Sequence, residues 1–204
     1  LVAGGTWLGC SRQGRFAALT NFTQGEPATF PKSRGELVHG FLSGRQSVKD
    51  YALSIKGDQY AGFNLLLFDG ARLLYTTNVC PPDQPRSRLL PAGDYGLSNA
   101  ELGATWPKCV DGARRLGEFA DSKCDNIEFI NLLKDQAQPD DQRLPDRGRS
   151  VEAERHLSSF FICDSNYGTR ASTVVRMGRE QIFFAEQTYL ADGVVGSMAE
   201  FDFA

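Results

Sequence analysis

Cysteine and histidine are the residue types in this sequence whose side chains most readily act as nucleophiles, bases or metal ligands. The 204-residue chain contains two histidines, His39 and His156, and no HExxH arrangement. Its five cysteines are widely spaced and form no CxxC pair: Cys10, Cys80, Cys109, Cys124 and Cys163. Disulfide frameworks and zinc sites need closer, paired spacing. The pattern favours free thiols in a reducing, cytoplasmic compartment and predicts no protein-built metal site.

The overall composition is that of a globular protein, with 41% hydrophobic and 23% charged residues. A net charge of −3 predicts no nucleic-acid partner, because a nucleic-acid surface needs a basic stripe. No apolar run approaches the roughly 18 residues that a membrane-spanning helix requires. The length predicts one domain covering residues 1–204.

Strands and hairpins are expected to carry most of the chain, because short apolar runs alternate with glycine-containing turns. Asp69 and Gly70 form the turn signal of one such hairpin. The predicted strands cover residues 6–11, 16–21, 62–68, 73–78, 95–99, 160–164, 172–177, 181–188 and 201–203.

Helices are expected between these strands. Ser33 and Glu36 have the spacing of a capping box, and Ser47 can cap a second helix. Apolar residues at helical spacing predict further helices at 107–119 and 127–133, whereas 80–91 and 138–150 are predicted loops, the latter mobile. Hairpins rather than regular crossover helices connect the strands, so the sequence predicts an α+β fold.

Seven short motifs, taken in their order along the chain, resemble the NRDE family, also called the transport and Golgi organisation family. The resemblance runs from Gly4 to about Thr188, and the first and fifth motifs together are the most specific. The motifs are GGTWLG (4–9), GRFAALTN (14–21), SRGELV (33–38), YAGFNL (60–65), GLSNA (96–100), WPK (106–108) and YGTR (167–170).

The resemblance implies a branch of the N-terminal-nucleophile hydrolases. Such proteins have a four-layer αββα sandwich, in which two stacked, mainly antiparallel sheets lie between layers of helices. In the cysteine branch, the thiol of the first mature residue attacks an amide carbon and its α-amino group serves as the base. Family members begin Met-Cys and then carry Asn-Arg-Asp-Glu. This sequence starts at Leu1, just before GGTWLG, so we expect the nucleophile in a preceding segment.

Three polar residues match supporting positions in the related bile-salt and penicillin acylases. The resemblance implies that Asn21 helps to hold the oxyanion, that Asn99 orients substrate and nucleophile, and that Arg170 lies close to the catalytic thiol. Preorganised amide donors suit a tetrahedral oxyanion, and an arginine favours a thiolate. Turn caps at Asn21 and Asn99, and a structural ion pair at Arg170, are the alternative interpretation.

Two functions follow from the resemblance. The first is hydrolysis of a non-peptide C–N amide bond in a small molecule, with no cofactor. The second is a non-catalytic role in haem handling or secretory organisation, with His39 and His156 as candidate axial ligands and Trp7, Phe63 and Trp106 around an apolar pocket. A sandwich without its opening strands exposes a sheet edge, so this chain is also expected to form homo-oligomers or aggregates.

Overall fold

The computed structural model describes residues 4–22, 29–120, 125–178 and 181–203. These residues form a mixed α/β protein with one five-stranded and one three-stranded sheet, both antiparallel. The chain divides into two compact units, Leu1–Ala104 and Thr105–Ala204. No helix in the described ranges is long and apolar enough to cross a membrane.

The first unit is built on the five-stranded sheet. Its strands follow one another in the order of the sequence, so each pair is a simple antiparallel neighbour. The strands are β1 (Leu8–Cys10), β2 (Phe16–Asn21), β3 (Phe63–Phe68), β4 (Leu73–Thr77) and β5 (Ser87–Leu90).

Two helices, α1 (Gly35–Ser43) and α2 (Val48–Ser54), cover one face of this sheet. The alternation of a strand brings Leu19 of β2 opposite Leu65 of β3 on that face. Burying each large side chain of this kind contributes about 1.5–3 kcal/mol, so this core holds the unit together. The core consists of Ala17, Leu19, Leu37, Val38, Phe41, Val48, Ala52, Tyr60, Phe63, Leu65, Leu67 and Leu74.

The predicted cap of α2 is confirmed and that of α1 is wrong. Ser47 Oγ accepts the N–H of Asp50 at 3.2 Å. The helix α1 begins at Gly35, and its N-cap residue makes no side-chain cap. Ser33 therefore lies outside the capping position, and its carbonyl oxygen, rather than its hydroxyl, accepts the N–H of Glu36 at 3.1 Å.

One strand prediction and one loop prediction in the first unit also differ from the structure. Residues 95–99 form no strand, because side chains from the sheet, rather than a neighbouring strand, bond this segment. The segment 80–91, predicted as a loop, contains β5, whose residue Leu89 pairs with Leu74 of β4. Pairing with the preceding strand, across residues 78–86, outweighs the local proline signal there.

The second unit contains three helices followed by the three-stranded sheet, in which β7 is central. The predicted strand at 160–164 is wrong, since Ile162 exchanges hydrogen bonds with Thr169 in a local turn. The helix α5 lies where the sequence predicted no element. The elements are α3 (Pro107–Ala120), α4 (Asn126–Leu132), α5 (Val151–Leu157), β6 (Ala171–Met177), β7 (Ile182–Tyr189) and β8 (Val195–Phe203).

The segment 138–150 carries ionic contacts to the helices on either side of it. Arg143 donates to both carboxylate oxygens of Asp111 in α3, at 2.9 and 3.1 Å. Arg147 pairs with Glu154 of α5, both side chains being buried. These contacts give the segment defined partners, while its mobility stays a prediction.

Candidate functional site

The carboxamide of Asn99 meets the backbone of Asn21 at the end of β2. Asn21 is the last residue of that strand and is exposed, whereas Asn99 lies in an irregular segment and is half-buried. Asn99 Nδ2 donates to the backbone oxygen of Asn21 at 2.8 Å. The structure therefore brings together two of the three residues that the resemblance singles out.

A buried asparagine holds the segment that carries Asn99. Asn64 is fully buried in β3, and its Nδ2 atom lies 2.8 Å from Ala100 O, 3.2 Å from Thr20 Oγ1 and 3.3 Å from Ser98 O. Thr20 Oγ1 itself donates to Ser98 O at 2.6 Å, and Tyr75 donates its hydroxyl to Asn64 Oδ1 at 2.7 Å. The polar network fixes residues 98–100 against the sheet without any strand pairing.

An arginine lies on the other side of the Asn21–Phe22 peptide group. The N–H of Phe22 donates to Gly62 O at 2.9 Å, and Arg34 Nη1 donates to the same oxygen at 2.9 Å. The Arg34 guanidinium also lies over the Trp7 ring, 5.8 Å from its centroid. Burial lowers the pKa of Arg34 from its ordinary value, because desolvation disfavours the charged form.

Close backbone packing brings the GGTWLG and SRGELV motifs together. A Cβ atom added to Gly5 would lie 2.6 Å from the carbonyl carbon of Gly35. Only glycine permits this approach. Five motifs of the first unit therefore converge on the end of β2: those containing Trp7, Asn21, Arg34, Gly62 and Asn99.

Arg170 belongs to the second unit, directly before β6. Its side chain is exposed, and its backbone oxygen accepts the N–H of Tyr189 at 2.8 Å. This backbone bond accounts for its position at the start of the sheet. The role of its guanidinium stays a prediction.

The cysteines of the described ranges are free thiols, and Cys124 lies outside those ranges. Burial raises the pKa of Cys10, so its thiol is held protonated and is a poor nucleophile at neutral pH. Cys80 lines a cavity of about 80 Å³ together with Tyr75, Arg88 and Glu101. Within the described residues, no group of three or more His, Cys, Asp or Glu side chains has the geometry to hold a metal ion.

The residues considered for haem are distributed over both units of the chain. His39 is exposed on α1 and His156 is half-buried on α5, so the two candidate ligands belong to different units. Phe63 has no exposed surface and is part of the core of the first unit, while Trp7 is 53% exposed. Haem handling therefore stays a prediction.

Two residues of the site were not identified as functional from the sequence. Asn64 was assigned no role of its own, although an asparagine inside the apolar run FNLLLF signals a buried polar network. Arg34 is part of the motif SRGELV and was assigned no role of its own. No local pattern indicates that its side chain reaches Gly62, because that contact joins residues 28 positions apart.

The fold and the site define a mixed α/β protein in which carboxamide groups and an arginine surround the end of a strand. A family model described as Transport and Golgi organisation 2 matches residues 2–191. The chain belongs to this family, which confirms the resemblance drawn from the motifs.

Mammalian relatives show the same similarity over most of the chain. The chain is 31% identical over 204 residues to the Transport and Golgi organization protein 2 homolog of Homo sapiens, covering 92% of this chain and 73% of that protein. It is 29% identical over 205 residues to the Transport and Golgi organization 2 homolog of Mus musculus, with the same coverage.

Proposed function

We propose that the chain provides the oxyanion-binding part of a cysteine amide hydrolase that cleaves a non-peptide C–N bond. The observation that carries this proposal is the convergence of five separate motifs on the Asn21–Phe22 peptide group, with Asn99 bonded to its oxygen. Functional residues are commonly found on loops that a rigid scaffold positions. The nucleophile is expected to be a cysteine encoded before Leu1.

The carboxamides suit the charge that develops in this reaction. The thiolate attacks the amide carbon, and the carbonyl oxygen becomes an oxyanion. An NH2 group has two N–H donors, so the bond from Asn99 to Asn21 O leaves one donor of Asn99 available. The exposed carboxamide of Asn21 supplies a second set of donors.

The C–N bond then breaks, and the amine leaves with the proton taken from the thiol. Water hydrolyses the resulting thioester and restores the thiol. We assign Arg170 the role of favouring the thiolate, as its motif implies. The four-layer sandwich, the cytoplasmic location and self-association that accompany this interpretation all stay predictions.

The test measures amide hydrolysis by the natural chain, including any residues that its gene encodes before Leu1. The substrates are p-nitroanilides with acyl groups of different lengths. Removing one oxyanion donor lowers kcat by roughly 10²–10³-fold, so Asn21→Ala and Asn99→Ala should each show this loss. Asn131→Ala, an exposed residue of α4, is the matched control and should retain full activity.

Two results would contradict the proposal. One is the absence of hydrolysis across the whole panel by the natural chain. The other is activity in the Asn21 and Asn99 variants equal to that of the Asn131 control, with all three equally folded by circular dichroism.

A second candidate function comes from the names of the relatives, which refer to transport and Golgi organisation. We propose that this chain acts in the same processes. Expression in cultured cells that lack the relative should restore normal Golgi morphology and secretion. Rescue by the Asn99→Ala variant would separate this role from amide hydrolysis, whereas failure of the natural chain to rescue would count against the role itself.

A further inference from the structure

The guanidinium of Arg34 is hydrogen-bonded to the backbone beside the candidate site. Arg34 Nη1 and the backbone N–H of Phe22 donate to the same oxygen, Gly62 O, each at 2.9 Å. Arg34 Nη1 therefore lies within two hydrogen-bond lengths of the backbone nitrogen of Phe22. Phe22 N belongs to the Asn21–Phe22 peptide group, and Asn99 Nδ2 donates to the carbonyl oxygen of that group, Asn21 O.

This guanidinium has donors to spare. Arginine carries five N–H donors in a planar fork, and the bond to Gly62 O uses one of them. Within the described ranges, every arginine–carboxylate pair involves an arginine other than Arg34. A planar fork with free donors matches the two oxygens of a carboxylate or the oxygens of a phosphate.

The neighbouring indole adds an apolar surface to this charge. The Arg34 guanidinium lies over the Trp7 ring at 5.8 Å, a separation at which the two groups attract each other. Trp7 is 53% exposed, although tryptophan side chains are usually more deeply buried. A fixed cation next to an exposed aromatic ring is a combination suited to a ligand that carries both an anion and an apolar group.

We propose that Arg34 and Trp7 form a recognition site for an oxyanion on the substrate, a carboxylate or a phosphate, with an adjoining apolar group against the indole. The inference rests on the proposed hydrolase function, and it narrows the substrate class to amides with an anionic group close to the scissile bond. N-acyl amino acids are the simplest compounds of this class. The Arg34 side chain binds the anion, and Asn21 and Asn99 lie next to the amide.

A purely structural role for Arg34 makes a different prediction. The bond to Gly62 O would then hold the backbone, and the charge of a ligand would have no effect on its binding. Comparing the affinity of a charged ligand with that of its neutral ester, in protein that keeps Arg34, separates anion binding from backbone support.

The experiment measures binding rather than turnover. The probe is N-hexylsulfonylglycine, whose sulfonamide resists hydrolysis, and the comparison is its methyl ester. Binding is followed by tryptophan fluorescence in the full natural chain carrying Trp106→Phe, which leaves Trp7 as the one indole among residues 1–204. The acid should bind about tenfold or more tightly than the ester, the difference expected for a charge-assisted hydrogen bond. Phenyl phosphate, in a separate titration, distinguishes a phosphate site from a carboxylate site.

Variants of the arginine provide the second measurement. Arg34→Gln should reduce the affinity for the acid to that for the ester, while Arg34→Lys should retain part of the difference because it keeps the charge but not the fork. Arg45→Gln, an exposed arginine just after α1, is the matched control and should bind like the parent.

Equal binding of acid and ester, or no binding of either anion, would overturn the proposal, as would an Arg34→Gln variant that keeps the preference for the acid. The outcome is independent of catalysis. A chain that prefers the acid but hydrolyses no amide would keep this recognition site and lose the hydrolase function.

Discussion

Replacing Asn64 with alanine tests whether a single buried carboxamide holds the candidate site in place. The substitution removes the bonds from Asn64 to Ala100 O at 2.8 Å and from the Tyr75 hydroxyl at 2.7 Å. Ser98 O keeps its bond from Thr20, so two groups lose a partner. Each buried group left unpaired costs about 1–3 kcal/mol, and we therefore expect a loss of about 2–6 kcal/mol.

A loss of this size is large compared with the roughly 5–15 kcal/mol by which globular proteins are stable. Urea unfolding followed by circular dichroism measures it from the change in midpoint at constant slope. Tyr75→Phe and the double variant complete a thermodynamic cycle with Asn64→Ala. Because the two side chains share a direct bond of 2.7 Å, the cycle should give a coupling of about 1–3 kcal/mol.

The control is again Asn131→Ala, which changes an exposed helical side chain and should alter stability by less than about 0.5 kcal/mol. A cost below about 1 kcal/mol for Asn64→Ala, or a coupling near zero with Tyr75→Phe, would refute this account of the network. Residues 98–100 would then be held by contacts other than the carboxamide.

Two further substitutions test contacts elsewhere in the chain. Gly5→Ala should lower the free energy of unfolding by about 1–3 kcal/mol, because its Cβ would lie 2.6 Å from the backbone of Gly35. Gly93→Ala, whose Cβ would make ordinary van der Waals contacts, is the control and should leave the urea midpoint unchanged. Equal midpoints for the two variants would contradict the close approach of Gly5 to Gly35. Glu154→Gln removes the charge of a 4%-exposed carboxylate paired with a buried arginine and should cost about 3–5 kcal/mol. The exposed ion pair between Arg114 and Glu118 should contribute less than about 1 kcal/mol, so Glu118→Gln is the control. If Glu118→Gln and Glu154→Gln lowered the melting temperature by similar amounts, the stabilising role of the buried pair would be contradicted.

The parts of the fold that the sequence predicted are those formed by contacts close in the chain. The strand at residues 16–21 and the hairpin around Asp69 have the predicted pattern, since their turns and alternation are local. The β5 strand depends on pairing with β4 across a proline-rich loop, and local propensity argues against it. Residues 95–99 have a strand-like sequence but no strand partner, and side chains take over the bonding.

The candidate site shows the same limit. Motif resemblance indicated Asn21 and Asn99, which share a hydrogen bond in the structure, while their catalytic roles stay predictions. The positions of Asn64 and Arg34 follow from contacts that span 28 to 36 residues, for which no spacing rule in the sequence exists. A polar residue inside an apolar strand is the one pattern in the sequence that indicates such a contact, and it is present at Asn64 but not at Arg34.

The dependence of residues 98–100 on side-chain bonds links the stability of the first unit to its chemistry. Regular strands share their hydrogen bonds among many residues, so one substitution seldom moves them. Asn99, in contrast, lies next to two residues whose oxygens are bonded by the single amide group of Asn64. We therefore expect that a change at Asn64, which leaves the Thr20 bond to Ser98 O in place, displaces the Asn99 carboxamide before it unfolds the sheet. Activity should fall more steeply than stability in Asn64 variants, which marks Asn64 as a positioning residue for the proposed site.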